Sequence, residues 1–386
     1  MSKYGILAGM AALSSAPAMA QSAPVTFESD IEAVTIVGLA GSNSSEAEFE
    51  PLLYELSLDN RVEKVLENGL QVSGRLTIRG QRDNPARPSF RGRFDGLNAQ
   101  EGGYSGLSGG PGELNAGARG RTEAAYIELD GGYGELRVGR DRGIAARFHE
   151  GAPSVLSHSG INNPYLDPAG LKILRTNHDL TGPSAKVSYA SPRILGLRAG
   201  VSYTPDAEAD GLDRSVEAGR MGPDLSNAVE AGLNLSRRLR NPDVRIEAAL
   251  GWSSAEANSP LPGVREKAET FSAGAALEFE AFEIGASWLS SDNGFASGDY
   301  RAWEVGLRKN FGETGISFNY GEAEDDLAGL DSRAYSIGAA RDIADNLSLA
   351  VAYQDETLDT VAGTLEGAGI VVEITLSADF LEISAF

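Results

Sequence analysis

Histidine has the widest chemical repertoire in this 386-residue chain, and its three copies, His149, His158 and His178, fall in one stretch. Imidazoles so grouped can ligate a metal, relay protons in hydrolysis, or change charge between pH 5 and 8. The first two readings lack their companions. His149-Glu150 is not followed by the second histidine of a zinc-protease helix, and no Gly-x-Ser-x-Gly offers a nucleophile. There is no cysteine, so neither thiol chemistry nor disulfides operate. Acidic clusters at Glu46, Glu48 and Glu50 and at Glu324, Asp325 and Asp326 offer oxygen ligands, with Ca2+ as the candidate ion. They lack EF-type spacing, and solvated loops that aid solubility are the preferred account of them. No other cofactor is expected.

Arginines form the second set. In Ser73–Gly80, Leu76 and Ile78 alternate with Arg75, Thr77 and Arg79. Arg137, Arg198 and Arg245 sit in segments of the same kind. A guanidinium stays charged at any physiological pH, so such a row orients or repels charged solutes without covalent chemistry. Keeping an inner face wet is the alternative role for any single one.

The elements that must carry these residues are strands. Phe271, Ala273, Ala275, Leu277 and Phe279 alternate with Ser272, Gly274, Ala276, Glu278 and Glu280. After a turn, Phe282, Ile284, Ala286 and Trp288 alternate with Glu283, Gly285 and Ser287. Period two with one apolar face marks an antiparallel hairpin. The form recurs from Val34 to Leu376, giving about 16 strands of about 9–11 residues, long enough to cross hydrocarbon when tilted. Turns on one side are short, apart from Asn60–Asn68. On the other side the connections are long, near 81–120, 141–183, 204–226, 254–268, 322–331 and 356–367. They are rich in Gly, Pro, Asp, Glu and Ser and belong in water.

The polar faces carry Glu247, Glu278, Glu280, Glu304 and Arg308 besides the arginines. A charge on a lipid face costs about 2–4 kcal/mol at the midplane, so these side chains point inward. Tyr189, Tyr203, Trp252, Trp288, Tyr320 and Tyr353, at strand ends, belong at the interfaces. The expected fold is all-β, a transmembrane antiparallel up-and-down barrel wide enough for an aqueous channel. A soluble two-sheet stack or propeller also alternates, but rarely in so long an unbroken run of hairpins.

Composition points the same way. No stretch after Ala20 reaches the ~20 apolar residues of a membrane helix. The 47 glycines lie inside alternating segments as well as in turns, which helices avoid and curved barrels tolerate. A net charge of −22 excludes a nucleic-acid partner. Met1–Ala20, with Lys3, an apolar run from Ile6 to Leu13 and Ala18-Met19-Ala20, reads as a signal peptide, leaving 21–386 as the barrel.

The hairpin GGYGELRVGR at Gly131–Arg140, the Gly/Pro-containing loop after it, and KVSYASPRILGLRAGVSY at Lys186–Tyr203 resemble the Gram-negative trimeric porins, especially the alphaproteobacterial type. In that family the loop after the fifth strand folds into the barrel and narrows it. Counting strands makes Arg140 the end of the fifth, so both routes meet at the same loop, about 141–183. The resemblance implies a constriction in which acids on this loop, Glu150 and Asp167 foremost, face the wall arginines Arg75, Arg79, Arg137, Arg198 and Arg245. It further implies a homotrimer, for which the small outer residues Ala248, Ala273 and Ala275 suit close packing. Outer-membrane lipid, lipopolysaccharide and small hydrophilic solutes are the other implied partners. Family chains end in a phenylalanine read by the assembly machinery. Alternation back from Phe386 meets Ser384 and Glu382, whereas back from Phe380 it meets Ala378, Leu376, Ile374 and Val372. Either the last strand stops near Phe380 or a bulge shifts its register.

The function implied is an outer-membrane porin, a water-filled channel for passive diffusion of small hydrophilic solutes and ions, and not an enzyme. A substrate-selective channel, a barrel enzyme and an adhesive barrel are the alternatives. Whole-chain acidity favours cations at the mouths while the arginines oppose it inside, so weak cation selectivity is expected. The loop histidines would add a conductance change near pH 6.

Overall fold

The structure, a computed structural model, describes residues 24–41, 49–85, 87, 100–107, 118–207, 222–241, 243–259 and 262–385. The signal segment, Glu46, Glu48 and Phe386 lie outside the described residues.

Strands follow one another along the chain. The first five are β1 (Val25–Ala40), β2 (Leu52–Val65), β3 (Gln71–Arg82), β4 (Arg119–Gly131) and β5 (Gly134–Asp141). A short helix, α1 (Ile144–Arg147), comes next. Then come β6 (Ser184–Ala190), β7 (Leu197–Ala207), β8 (Asp224–Arg240), β9 (Asp243–Asn258), β10 (Lys267–Phe279) and β11 (Glu283–Ser291). The chain ends with β12 (Tyr300–Phe311), β13 (Thr314–Asp325), β14 (Leu330–Ala344), β15 (Leu347–Thr360) and β16 (Gly363–Ala385). Each strand pairs antiparallel with its sequence neighbours, and β1 pairs with β16, so the sheet closes into a barrel.

The period-two pattern sorts side chains as lipid demands. In the row across β9–β12, Leu250, Trp288 and Trp303 project outward and are exposed, while Ser253, Ser287 and Glu304 on the inner face are buried. Aromatic pairs sit on the outer face, Trp303 with Tyr320 (ring centroids 5.5 Å apart) and Tyr335 with Tyr353 (6.2 Å), as an interfacial girdle requires.

Two details differ from the sequence expectation, and a third decides between two alternatives that it left open. The segments 322–331 and 356–367 are mostly strand. β13 and β14 are joined through 326–329, and β15 and β16 through 361–362. Their charges read as loop because the pattern loses its apolar face, but strands that outrun the hydrocarbon meet water on both faces and need none. Asn60–Asn68 likewise shrinks to a turn at 66–70. Of the two alternatives for the last strand, the bulge is the one found: β16 runs past Phe380 to Ala385. On the β1 side Ser29 pairs with Leu381 and Asp30 with Asp379, so Phe380 is the extra residue of a bulge. Phe380, Leu381 and Ile383 are all exposed.

Candidate pore constriction

The segment between β5 and β6, residues 142–183, lies inside the barrel. Its outgoing leg can be followed strand by strand. Ile144 N–H donates to Ser202 Oγ of β7 (3.1 Å). Asn234 of β8 donates to Glu150 Oε1 (3.0 Å), and Asn319 of β13 to the Pro153 carbonyl (2.8 Å). The backbone N–H groups of Ser157, His158 and Ser159 converge on the Glu373 carboxylate of β16 (2.9, 3.1 and 2.8 Å). The return leg comes back above it. Lys172 reaches Gln354 of β15 (3.2 Å). Thr176 hydroxyl meets Glu304 of β12 (3.1 Å). His178 sits between Ser272 and Ser253 of β10 and β9 (2.7 and 2.8 Å). Thr181 donates to Glu230 of β8 (2.7 Å).

Glycines make room for this path. A Cβ on Gly274 would collide with the Glu150 carbonyl oxygen. One on Gly285 would lie 2.7 Å from the Gly151 oxygen, and one on Gly306 2.7 Å from the Pro153 oxygen. Gly200, Gly232, Gly251 and Gly321 face the same segment. The glycines that the composition flagged inside strands thus form an inner belt in which the segment's backbone seats.

The segment lines β6 through β16, and Leu166 carries it on to Val34 and Ile36 of β1 and Leu53 of β2; the short-turn halves of β2 and β3 stay open, and Arg61 and Arg75 stand there. Arg75, with 45% of its side chain exposed, pairs with Asp59 of β2 (2.8 Å), and Arg61 is similarly open. Arg79 lies 3.6 Å from Glu55 and 3.5 Å from Glu123. Arg137 contacts Glu128 (2.5 Å), Glu135 (2.8 Å) and Asp141 (3.0 Å). Arg198 joins this group through Glu135 (2.8 Å), as does Arg147 of α1. Arg245 is apart from them, near the short-turn end of β9, with Glu247 (2.8 Å) and Glu278 (3.8 Å). The structure therefore gathers Arg75, Arg79, Arg137 and Arg198 on one wall and leaves Arg245 at a mouth.

The acids expected opposite them are elsewhere. Asp167 is fully buried. It accepts the N–H groups of Ala169, Leu171 and Lys172 (3.0, 2.7 and 2.9 Å), folding the return leg on itself. Glu150 lies against β8 and β10, far round the ring from β3, and burial raises its carboxyl pKa. Mid-loop position was the wrong guide, because the segment runs along the wall and does not project into the water. The carboxylates that face the arginines are Asp59, Glu55, Glu123, Glu128 and Glu135 on the wall itself. Their signal was available, since each lies on the inward parity of a strand or at the bulge of β4.

The histidines do not titrate near pH 6. Burial lowers His149 to about 4 and His178 to about 3. Burial would also lower His158, but hydrogen bonding to Glu32 and Glu373 outweighs it and lifts the ring to about 10. Its Nε2 is 3.3 Å from Glu32, and its Nδ1 3.7 Å from Glu373. Asp325 is buried, accepting from Asn293 (3.2 Å) and the Ala328 N–H (2.8 Å). Among the described residues no three His, Cys, Asp or Glu side chains gather to hold a metal ion.

A closed all-antiparallel barrel with a lining inner segment and a charged inner wall is a transmembrane channel. The profile of the Gram-negative porin family matches residues 7–360, so the chain belongs to that family. An anion-selective porin from Comamonas acidovorans is similar in structure (TM-score 0.54, 13% identity, 93% of this chain and 100% of that one). So are Pseudomonas putida OprB (0.59, 11%, 92% and 94%) and a Salmonella typhi OmpF in complex with daunomycin (0.59, 15%, 91% and 97%). None of the curated proteins compared matches the chain. Family and fold define an outer-membrane channel for passive diffusion rather than an enzyme.

Proposed function

We propose that solutes pass along the β2–β5 wall, through an eyelet bounded by Arg75, Arg79 and Arg137 on one side and by the 142–183 segment on the other. The observation that carries this is the contrast in exposure across the ring. Arg61 and Arg75 are open to water, while inner residues of β9–β15 such as Ser253, Ser317 and Gln354 are buried beneath the segment. The wall arginines are offset by carboxylates within 4 Å, so the excess acidity of the chain is not reversed at the eyelet. Weak cation preference with little solute discrimination is the reading this supports.

The channel works as a homotrimer, with Ala248, Ala273 and Ala275 facing outward as close packing needs. Lipopolysaccharide surrounds the rim where Glu324 stands across from Asp331 and Asp331 across from Asp359. The outward Phe380, Leu381 and Ile383 of β16 are presented to the assembly machinery. The test is conductance of the purified mature protein in a planar bilayer. Openings in groups of three, ohmic and little affected by sugars, are expected. Silence from a folded, heat-modifiable protein would discard the pore.

A further inference from the structure

The connection between β3 and β4 does something its composition did not suggest. The sequence around Gly102–Gly120 reads as a solvated outer loop. Yet Gln100–Leu107 is seated inside the barrel mouth against the connection between β11 and β12. In the closed ring, β11 stands opposite β3.

The seat is specific. Gly103 N–H donates to the Asn293 carbonyl (2.9 Å). The N–H groups of Tyr104 and Ser105 both donate to Asn293 Oδ1 (3.2 and 2.9 Å). Asn293 is held for this by its own donation to Asp325 (3.2 Å) and by a left-handed backbone (φ 54°), which Asn adopts more readily than most residues. Tyr104 is fully buried. Its hydroxyl donates to the Asn177 carbonyl of the return leg (2.8 Å). Its ring lies 5.4 Å from that of Tyr300 and 4.5 Å beneath the Arg175 guanidinium. There is no slack: a Cβ on Gly102 would fall 2.6 Å from Asn293 Cγ.

We infer that Gln100–Leu107 is a strap that fills the β8–β15 side of the outer vestibule and so narrows the way to the open wall below it, where Arg61 and Arg75 stand toward the short-turn end. Tyr104 is its anchor and a positioning residue for solute size. Leu107 and Tyr104 share one apolar cluster with Leu171, Leu174, Leu289 and Tyr300 inside the barrel. Apolar burial holds the strap there without any covalent tie. The passage then has two size-setting layers in series, the strap above and the 142–183 segment below. The inference rests on the pore reading given above.

The test uses the full mature protein in planar bilayers, with neutral polyethylene glycols of graded size as probes. Tyr104→Ala should raise conductance and shift the size cut-off upward. Because removing a fully buried ring also loosens the packing around it, a second variant carries the weight. Gly102→Cys with Asn293→Cys places two thiols at the seat of an otherwise cysteine-free chain. Reduced, it should resemble Tyr104→Ala. Oxidised, it should return to the wild-type conductance and cut-off, a rescue that general destabilisation does not give. Wild-type values in both folded variants, reduced as well as oxidised, would overturn the strap. A wild-type protein that never conducts overturns the pore itself, which is a different result.

Discussion

The carbonyl oxygen of Glu150 occupies the space that a side chain on Gly274 would need. Wall and lining segment are thus fitted backbone to backbone at this level. Gly274→Val must push the segment off the wall. Overpacking of this kind costs about 1–3 kcal/mol. The dissociation temperature on denaturing gels should fall, and single-channel current should become noisier. An unchanged temperature would mean that the segment is not seated on β10.

Lys172 fixes the far end of the return leg. Its ammonium is 3.4 Å from Glu356 and 3.7 Å from Asp167, with Ser159 and Gly160 carbonyls at 3.3 and 3.4 Å, and all three charged side chains are buried. Lys172→Met leaves two carboxylates buried without their cation. Breaking a buried pair from one side costs about 3–5 kcal/mol. Adding Glu356→Gln should recover part of that loss, and a denaturant titration of the double variant checks it.

His158 gives stability with a defined pH window. Its folded pKa, about 10, lies above its unfolded value near 6.5, so the folded state binds the proton more tightly. The contribution is fully present below about 6.5 and is lost as pH rises through about 10. Comparing wild type with His158→Gln across this range isolates it from other titrations. The difference between them should be full at pH 6.5, shrink as the pH rises from there, and be absent above pH 10.

His178 behaves in the opposite sense. Burial depresses its pKa to about 3, so its share of stability is present above 6.5 and drains away as pH falls toward 3. Conductance should therefore stay flat through pH 6. A midpoint near 6 that disappears in His149→Gln or in His178→Gln would contradict the depressed value of the histidine replaced.

Selectivity should follow Arg75 and Asp59, the exposed pair of the open wall. Arg75→Ala should raise cation preference, and Asp59→Asn should move it toward anions. Reversal potentials in a salt gradient read both. Opposite shifts from Arg245→Ala and Arg75→Ala are not expected, but Arg245, at the mouth, should have the smaller effect.

Strand parity was legible because it needs only one strand at a time. It put Arg75, Arg79 and Arg137 inward, and a count of hairpins put the lining segment after Arg140. What parity cannot give is depth or azimuth. Asp167 and Glu150 were misread for that reason: a segment that hugs a wall has no middle that faces water. The glycine belt was half legible. Gly200, Gly232, Gly251, Gly274, Gly285, Gly306 and Gly321 recur once per strand on inward positions, a regularity that marks a close backbone approach. The strap was not legible at all. Gly102-Gly103 and Tyr104 look like any solvated loop until Asn293, almost 190 positions away in sequence, is brought beside them.

The seam between β1 and β16 pairs Val25 with Ala385, residues from the two extremes of the described chain. Every other ladder joins neighbours and can zip as the polypeptide emerges. This one waits for the last strand. Until it arrives, a half-finished sheet carries two raw edges, each a row of unpaired amides open to any passing strand. Long-range pairing of this kind is also the slowest to form. The interval before closure is therefore the period of greatest exposure to mispairing, and a chain stalled within it is a hazard that the finished ring is not.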